Sequence, residues 1–336
     1  MAGKSGRTIA ATQEKSLKNL LFRWEGGLVL VFIAVLIFGS IISPNYNFTS
    51  VFREMPKYLA EIFMMYAMGY ILVLGEIDIS VGAIVCLVMT VGCFAGNAGI
   101  PFPIVVILML ALGTGCGAFN GLLRTRFPEL PAMIITLGTQ IIFRGIAEVS
   151  LGSGGSASYT NSKDLMKLAT MIGPFPLAFF VLAIVAIIFI VVLAKTTFGR
   201  KLYAIGSNRT AAYYAGVPVN KVILTTFTLL GLMAGFCGLF LLSQTYGANT
   251  TNGQGFEMDV IAMCVFGGIA TTGGKGNLIG ATIAGFTIVC LRIALGQRNI
   301  NTQLILVIIG ILLIVSVLVP RFSQSITDKK KKAANA

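Results

Sequence analysis

The residue types that usually perform catalysis or hold a metal are scarce in this chain. It contains no histidine, which excludes His-based acid–base chemistry, Ser-His-Asp and Cys-His nucleophiles, and His-ligated metal sites. The glycine-rich run at 267–277 looks like a phosphate-binding loop, but the GxxxxGK[ST] pattern fails at Ile269 and Gly276. Six cysteines lie in apolar stretches without a Cys-x-x-Cys pair, which is typical of packing residues: Cys86, Cys93, Cys116, Cys237, Cys264 and Cys290. The sequence therefore predicts no enzymatic activity, no metal, no cofactor and no nucleotide site of its own.

Two acidic residues stand close together between apolar stretches, in the sequence GEIDISVG at 75–82. Glu76 and Asp78 are two positions apart, and on a helix such residues point to different sides. They therefore suit a broken turn that faces a cavity better than a regular helix, with Ser80 beside them. The alternative is the aqueous end of a hairpin with both carboxylates solvated. Charge at bilayer depth is costly, so a carboxylate placed there indicates function.

Further polar side chains lie in the apolar stretches that follow. Glycines recur every four residues at 113–121, a spacing that lets another helix approach closely, and Asn120 lies near the end of that run. Amide and hydroxyl groups need partners inside a membrane, either a neighbouring helix or a hydroxyl-rich solute. With the GEIDISVG segment, these groups make up the candidate polar site: Asp78, Ser80, Asn120, Thr136, Thr139 and Gln140.

The composition of the chain predicts which structural elements hold these polar side chains in place. Of the 336 residues, 56% are hydrophobic and only 11% charged, whereas soluble domains are about 25% charged. Long runs without any Asp, Glu, Lys or Arg, such as 79–123 and 222–256, indicate repeated membrane spans. Ten apolar segments are predicted, near 27–43, 57–74, 79–97, 103–123, 131–147, 174–194, 221–244, 257–271, 277–296 and 302–320. The expected fold is an all-α polytopic membrane protein, in which 131–147 and 257–271 are either full spans or half-helices.

The net charge of +13 would suggest nucleic-acid binding in a soluble chain, but here it predicts membrane orientation. With ten crossings and both termini in the cytoplasm, 18 of the 25 basic residues lie inside, so no nucleic-acid partner is expected. Residues 1–26 form a cytoplasmic segment, 27–320 one transmembrane domain, and 321–336 a basic, lipid-attracted tail. The seven basic residues left outside are Arg53, Lys57, Arg144, Lys163, Lys167, Arg292 and Arg298.

The largest inside connection, 195–221, is short and strongly basic. It contains a helix-forming stretch at 208–215, for which Asn208 is a good N-cap and which Gly216 and Pro218 end. A short helix displayed to the cytosol suits the docking of a partner. The alternative is an ordinary connection between two spans.

Three motifs together resemble one known family, the permease subunits of bacterial ATP-binding-cassette importers for monosaccharides of the ribose type. GEIDISVG at 75–82 is similar to the family's Gly-Gly-Ile-Asp-Leu-Ser-Val-Gly, from which Glu76 and Ile79 depart. TLGTQIIFRG at 136–145, preceded by Asn120-Gly121 and Pro131, resembles the family's Thr-Leu-Gly-Thr…Arg-Gly pattern. GRKLYAIGSNRTAAYYAGVPV at 199–219 resembles the family's cytoplasmic loop, and the likeness runs from the first span to the tenth.

The resemblance implies the fold and partners of an importer permease in the bacterial cytoplasmic membrane. Two separate ATPase subunits, an extracytoplasmic sugar-binding protein and a second permease, identical or paralogous, would complete the transporter. The polar site named above would line the pathway of a monosaccharide: ribose, xylose, rhamnose, a galactose-like sugar or a related furanosyl compound. The residues implied in ATPase coupling are Gly199, Asn208, Ala211, Ala212 and Gly216.

Two other function classes fit the composition. A proton-coupled secondary sugar transporter would use Glu61, Glu76 or Asp78 as its proton relay and would carry an internal repeat, but the two halves share no clear sequence echo. A membrane-embedded enzyme lacks support, because there is no histidine and no span contains paired catalytic carboxylates.

Overall fold

The computed structural model describes residues 24–160, 162–301, 304–305 and 307–311. The described part is mostly helical, as predicted. Its helices are α1 Trp24–Ile42, α2 Phe48–Glu54, α3 Pro56–Val73, α4 Val81–Asn97, α5 Phe102–Arg126, α6 Ala132–Leu151, α7 Ser162–Leu168, α8 Leu177–Lys195, α9 Thr197–Ser207, α10 Arg209–Tyr214, α11 Val219–Thr245, α12 Phe256–Phe266 and α13 Leu278–Gly296. Four short strands accompany them: β1 Ser156–Ser158, β2 Met171–Ile172, β3 Phe175–Pro176 and β4 Gly247–Asn249. The predicted segments 1–23 and 312–336, with most of the last span and the basic tail, lie outside the described residues.

Five of these helices have the length and apolar character to cross a membrane, namely α5, α6, α8, α11 and α13, and α1 and α4 are shorter apolar helices. Segment 131–147 is therefore long enough for a full span, since α6 has 20 residues. Helix α12 has only 11 residues, and at 1.5 Å per residue it reaches about half of a hydrocarbon core of about 30 Å. Segment 257–271 is thus a half-helix followed by a non-helical stretch.

Helix α3 forms the centre of the described fold. All of its residues from Leu59 to Val73 are buried, and it packs against α8, α11, α12 and α13. In contrast, α1, α6 and α8 expose rows of large apolar side chains such as Ile41, Ile141 and Ile187. Buried helices at the centre and exposed apolar faces at the periphery are the pattern expected of a protein whose solvent is lipid.

Helices α5 and α11 approach each other closely, and glycines on both helices allow it. A Cβ at Gly117 would lie 2.8 Å from the Cα of Gly231, and a Cβ at Gly113 would lie 3.0 Å from the Cα of Gly235. The four-residue glycine spacing predicted a close helix approach, and the structure confirms it and identifies α11 as the partner.

The connections gather at two opposite ends. At the end that we call the Tyr159 end, β1 pairs antiparallel with β4, Asn97 Nδ2 donates to the Ser158 carbonyl (2.8 Å), and Ser43 Oγ donates to Gln297 Oε1 (3.1 Å). At the other end, the Glu76 end, Gly274 N donates to the Val73 carbonyl (2.9 Å). Trp24 also lies at the Glu76 end, because its indole ring packs against Gly268, where an added Cβ would lie 2.5 Å from Trp24 Nε1.

The structure refines two predictions. The segment predicted near 79–97 becomes helical at Val81, because residues 76–80 are non-helical. The predicted helix at 208–215 is confirmed as α10 with Asn208 as its N-cap, and a second, longer helix, α9, precedes it. The pattern of basic and apolar residues in α9 is amphipathic, and the basic loop composition concealed it.

Candidate functional site

Asp78 lies at the centre of a buried hydrogen-bond cluster, in the non-helical segment 76–80 before α4. Only 1% of the residue is exposed. Its Oδ1 accepts from the Ser80 backbone N–H (2.8 Å) and the Ser80 hydroxyl (2.7 Å). The solvated hairpin end is therefore wrong for Asp78, and the broken turn is confirmed. Within this cluster the Asp78 carboxylate is stabilised by hydrogen-bond donors and not by a neighbouring cation.

Helix α5 contributes Asn120 to the same cluster. Its Nδ2 donates to Ser80 Oγ (2.8 Å) and approaches Asp78 Oδ2 at 3.4 Å. Among the described residues, Asn120 Oδ1 is buried without a hydrogen-bond partner. Leaving such an acceptor unpaired costs about 1–3 kcal/mol, so the cluster does not satisfy all of its own polar atoms.

The three polar residues of α6 divide between two places. Thr136 joins the cluster, because its hydroxyl accepts from the Ile79 backbone N–H (3.2 Å). Thr139 is buried but donates to the Thr136 carbonyl (3.3 Å), within its own helix. Gln140, one turn beyond Thr136, lies outside the cluster and faces a cavity of about 440 Å³.

That cavity lies between α6 and the start of α12 and is lined by Gln140, Ile141, Arg144, Gly145, Glu148, Gln254 and Glu257. Arg144 Nη1 donates to the carbonyls of Thr250 (2.8 Å) and Asn252 (2.7 Å), which fixes the loop after β4 against α6. Because five of its seven residues are polar or charged, we call this cavity the polar pocket.

The polar pocket lies next to the start of α4, since the loop after β4 reaches Gly82. A Cβ at Gly82 would overlap the Gly253 carbonyl and come within 2.6 Å of Glu257 Oε2. Only glycine leaves room for this approach, which is the physical reason for Gly82 at the end of the GEIDISVG motif. The non-helical segment 250–255 therefore packs through Gly253 against the first turn of α4 at Gly82, just after the non-helical segment 76–80.

Glu76 forms an ion cluster that sequence reasoning missed. Its Oε1 accepts from Arg124 Nη2 (2.6 Å) and Nε (2.9 Å) and lies 3.3 Å from Arg209 Nη1. Burial and the neighbouring charge of Arg124 lower the pKa of Arg209, and Glu76 acts against that shift. The sequence signal was present, since Glu76 departs from the family motif, but nothing local pointed to its partners. Glu76 thus connects the non-helical segment 76–80 to Arg124 of α5 and to Arg209, the first residue of α10.

The residues implied in ATPase coupling take different positions. Asn208 caps α10, because its Oδ1 accepts from Ala211 N (2.9 Å). Gly199 is buried at the α8–α9 joint, where a Cβ would overlap the Leu193 carbonyl, and Ala212 is also buried. Ala211 and Gly216 are exposed, the latter with a φ of +79°.

The most exposed side chains on α10 were not predicted. Tyr213 and Tyr214 are 67% and 83% exposed, and their ring centroids lie 5.7 Å apart. Two aromatic rings displayed beside each other at the Glu76 end are suited to contact another protein. The sequence AAYY contains this signal, because aromatic residues are unusual on a solvated helix.

Helix α9 is fixed against the non-helical stretch that follows α12. Tyr203 Oη donates to the Gly276 carbonyl (2.6 Å). A Cβ at Gly206 would overlap the Val73 carbonyl and lie 2.6 Å from Gly274 N. These contacts join α9 to the end of α3 and to the glycine-rich run 267–277.

A second buried ion cluster joins α3, α12 and α13. Arg292 Nη1 donates to both Glu61 carboxylate oxygens (3.0 Å each), and Nη2 lies 2.7 Å from Asp259 Oδ2. The two carboxylates thus share one guanidinium, which holds the short helix α12 against two longer helices. Glu61 was predicted only as a proton relay in the secondary-transporter alternative, and Arg292 only as an outside charge.

Comparison with known proteins gives a consistent result. Residues 57–317 match the family described as branched-chain amino acid transport system permease component. The D-allose transport system permease protein AlsC of Escherichia coli K12 is 33% identical over 95% of this chain and 98% of its own length. The ribose import permease protein RbsC of Bacillus subtilis is 32% identical over 88% and 92%, and the autoinducer 2 import system permease protein LsrC of Enterobacter sp. 638 is 35% identical over 80% and 78%. No solved structure matches the chain.

Proposed function

The chain belongs to the family of branched-chain amino acid transport system permease components, and we propose that it is the membrane-spanning permease subunit of an ATP-binding-cassette importer for a monosaccharide. The observation that carries this proposal is the likeness to the D-allose and ribose permeases over nearly their whole lengths. The protein is a multi-pass protein of the bacterial inner membrane. Its substrate is ribose, xylose, rhamnose, a galactose-like sugar or a related furanosyl compound.

The physical task of such a permease is to replace the water around a sugar. Each hydroxyl left unpaired in hydrocarbon costs roughly 2–7 kcal/mol, so a sugar crosses only along polar groups. Asp78, Ser80, Asn120 and Thr136 supply such groups at one level, and Gln140 at the next, with Thr139 holding the helix between them. The Asn120 Oδ1 acceptor without a described partner supports contact with a hydroxyl-rich solute.

We propose ten crossings with both termini in the cytoplasm, and the Glu76 end as the cytoplasmic face. The described contacts support this arrangement, because Trp24, the α9–α10 segment and the run 267–277 share one end. That end also carries the basic connections expected inside. The described basic residues there are Arg124, Arg126, Lys195, Arg200, Lys201, Arg209, Lys221 and Lys275.

Energy for transport would come from two separate ATPase subunits that dock at the cytoplasmic connection 195–221. In this assignment Asn208 and Gly216 fix the ends of α10, Ala212 is its buried residue, Gly199 packs α9 against the end of α8, and Ala211 faces the partner. The exposed pair Tyr213 and Tyr214 adds contact area. A sugar-binding protein would dock at the Tyr159 end, and a second permease, identical or paralogous, would complete the pathway within the surrounding lipids.

Reconstitution tests the function directly. The chain is placed in proteoliposomes alone and then with an ATPase and a sugar-binding protein encoded beside it, and uptake of labelled monosaccharides is measured. We expect uptake only with both partners and ATP. Uptake by the chain alone, driven by a proton gradient, would refute the importer function and support the secondary transporter.

A further inference from the structure

The polar pocket carries an inference about how the substrate is recognised, which rests on the proposed function. We propose that the pocket formed by Gln140, Arg144, Glu148, Gln254 and Glu257 is a binding subsite for a neutral monosaccharide on its way through the permease. Its volume of about 440 Å³ lies within the usual range for small-molecule sites, about 300–1,000 Å³.

The side chains of the pocket match the hydrogen-bonding chemistry of a sugar. Glu148 and Glu257 accept from hydroxyl groups, and Gln140 and Gln254 both donate and accept. Ionised acceptors make shorter hydrogen bonds that are roughly twice as strong as neutral ones. The pocket therefore offers partners of both kinds to a ring of hydroxyls, which is what a polyol needs on leaving water.

Glu257 is the group that most clearly lacks a partner. Among the described residues, its Oε2 is buried and accepts no hydrogen bond. Gly82 allows the carboxylate to reach this place, since a Cβ there would stand 2.6 Å from that oxygen. An unpaired buried carboxylate oxygen is costly, and the Glu257 side chain that carries it also lines the pocket, where the carboxylate can accept from a sugar hydroxyl.

The charge of the pocket selects against anions. Two carboxylates face one guanidinium, and that guanidinium already donates to the carbonyls of Thr250 and Asn252. A phosphorylated sugar, or the carboxylate of an amino acid, would meet net negative charge without a dedicated cation. A neutral sugar meets no such penalty, so the pocket favours sugars over the amino acids in the family description.

A cysteine-protection experiment tests this subsite. All six native cysteines are buried, so a thiol introduced by Gln140→Cys is selectively labelled by a water-soluble maleimide. The transporter is assembled with its ATPase and binding protein. Uptake of D-ribose, D-allose, D-xylose, L-rhamnose and D-galactose is measured with the unsubstituted chain, and protection of the thiol by the same five sugars is measured with the Gln140→Cys variant. The control is Glu129→Cys, an exposed position at the Glu76 end.

We expect the sugar that is taken up to slow labelling of the cysteine at 140 at least threefold and to leave the control cysteine unaffected. Adding Glu257→Gln should raise the half-protecting concentration about tenfold, which corresponds to about 1.4 kcal/mol. Uptake without protection, or protection that Glu257→Gln does not weaken, would overturn the subsite and leave the proposed function intact. Uptake of none of the five sugars would count against the proposed function and against the subsite with it.

Discussion

The Glu76 ion cluster gives the sharpest prediction about stability. Glu76→Gln removes the charge that Arg124 contacts at 2.6 and 2.9 Å and Arg209 at 3.3 Å. The side chains of Arg124 and Glu76 are only 8% and 11% exposed. Removing one partner from such a buried pair typically costs about 3–5 kcal/mol, because the other charge stays buried and unpaired.

The structure places the expected cost near the lower end of that range. Arg124 keeps one other acceptor, the Pro128 carbonyl at 3.2 Å, which compensates part of the loss. Arg209 is 34% exposed, so its share resembles that of a surface pair and adds less than about 1 kcal/mol. We therefore expect Glu76→Gln to lower the free energy of unfolding by about 3 kcal/mol and Arg209→Gln by less than about 1 kcal/mol.

A double-mutant cycle separates this explanation from a general effect of mutating a buried position. In Glu76→Gln/Arg124→Met neither charge of the buried Glu76–Arg124 pair remains, and only the 34% exposed Arg209 lacks its partner, as it already does in Glu76→Gln. The double variant should therefore be destabilised by about 2 kcal/mol less than the sum of the two single losses. The assay is reversible unfolding of the purified chain by SDS in mixed micelles. Additive losses in this cycle would refute the reasoning, since they would show that Glu76 and Arg124 are not energetically coupled.

Three further predictions concern helix packing, the second ion cluster and the exposed aromatic pair. Gly231→Leu should lower the free energy of unfolding by about 1–3 kcal/mol in the same assay, because its side chain would meet the α5 backbone, whereas Gly115→Leu, with open space around its Cα, should have little effect. Arg292→Met should cost about 3–5 kcal/mol by leaving Glu61 and Asp259 without their cation, and adding Glu61→Gln should recover part of that loss. Tyr214→Glu should abolish copurification of the ATPase without changing unfolding, while Met166→Glu, at a position that is also exposed (54% against 83%) but lies at the Tyr159 end, should leave copurification intact; normal copurification of the first variant would exclude α10 as the docking surface.

The local features of the fold were predictable because they depend on short stretches of sequence. Apolar runs bounded by turn residues predicted ten segments, and nine of them correspond to helices in the described part of the chain. The glycine spacing at 113–121 predicted a close helix pair. The two-residue spacing of Glu76 and Asp78 was enough to predict a broken segment. The side chain of Asn208 likewise identified the start of α10.

The remaining features depend on contacts between distant positions, which one sequence does not encode in any local pattern. Glu76 and Arg209 are separated by 133 positions, and Glu61 and Arg292 by 231. The half-helix α12 has the same apolar composition as a full span, so only the packing of its ends shows where it stops. Arg144 was predicted as an outside charge because the charge count ignores depth, whereas its guanidinium fixes the loop after β4 beside the polar pocket.

Contacts among the described residues connect α10, through Glu76, to the Asp78 cluster. Arg209 begins α10 and contacts Glu76, and Glu76 lies two residues before Asp78 in the same non-helical segment. We therefore expect a movement of α10 that pulls on Glu76 to displace Asp78 or to break the ion pair. Because the family motif carries glycine where this chain has Glu76, the charged link adds a connection that a glycine cannot make. In the proposed importer, Glu76→Gly should therefore lower ATP-driven uptake in proteoliposomes while the non-helical segment itself tolerates the glycine; unchanged uptake would show that this link is not used.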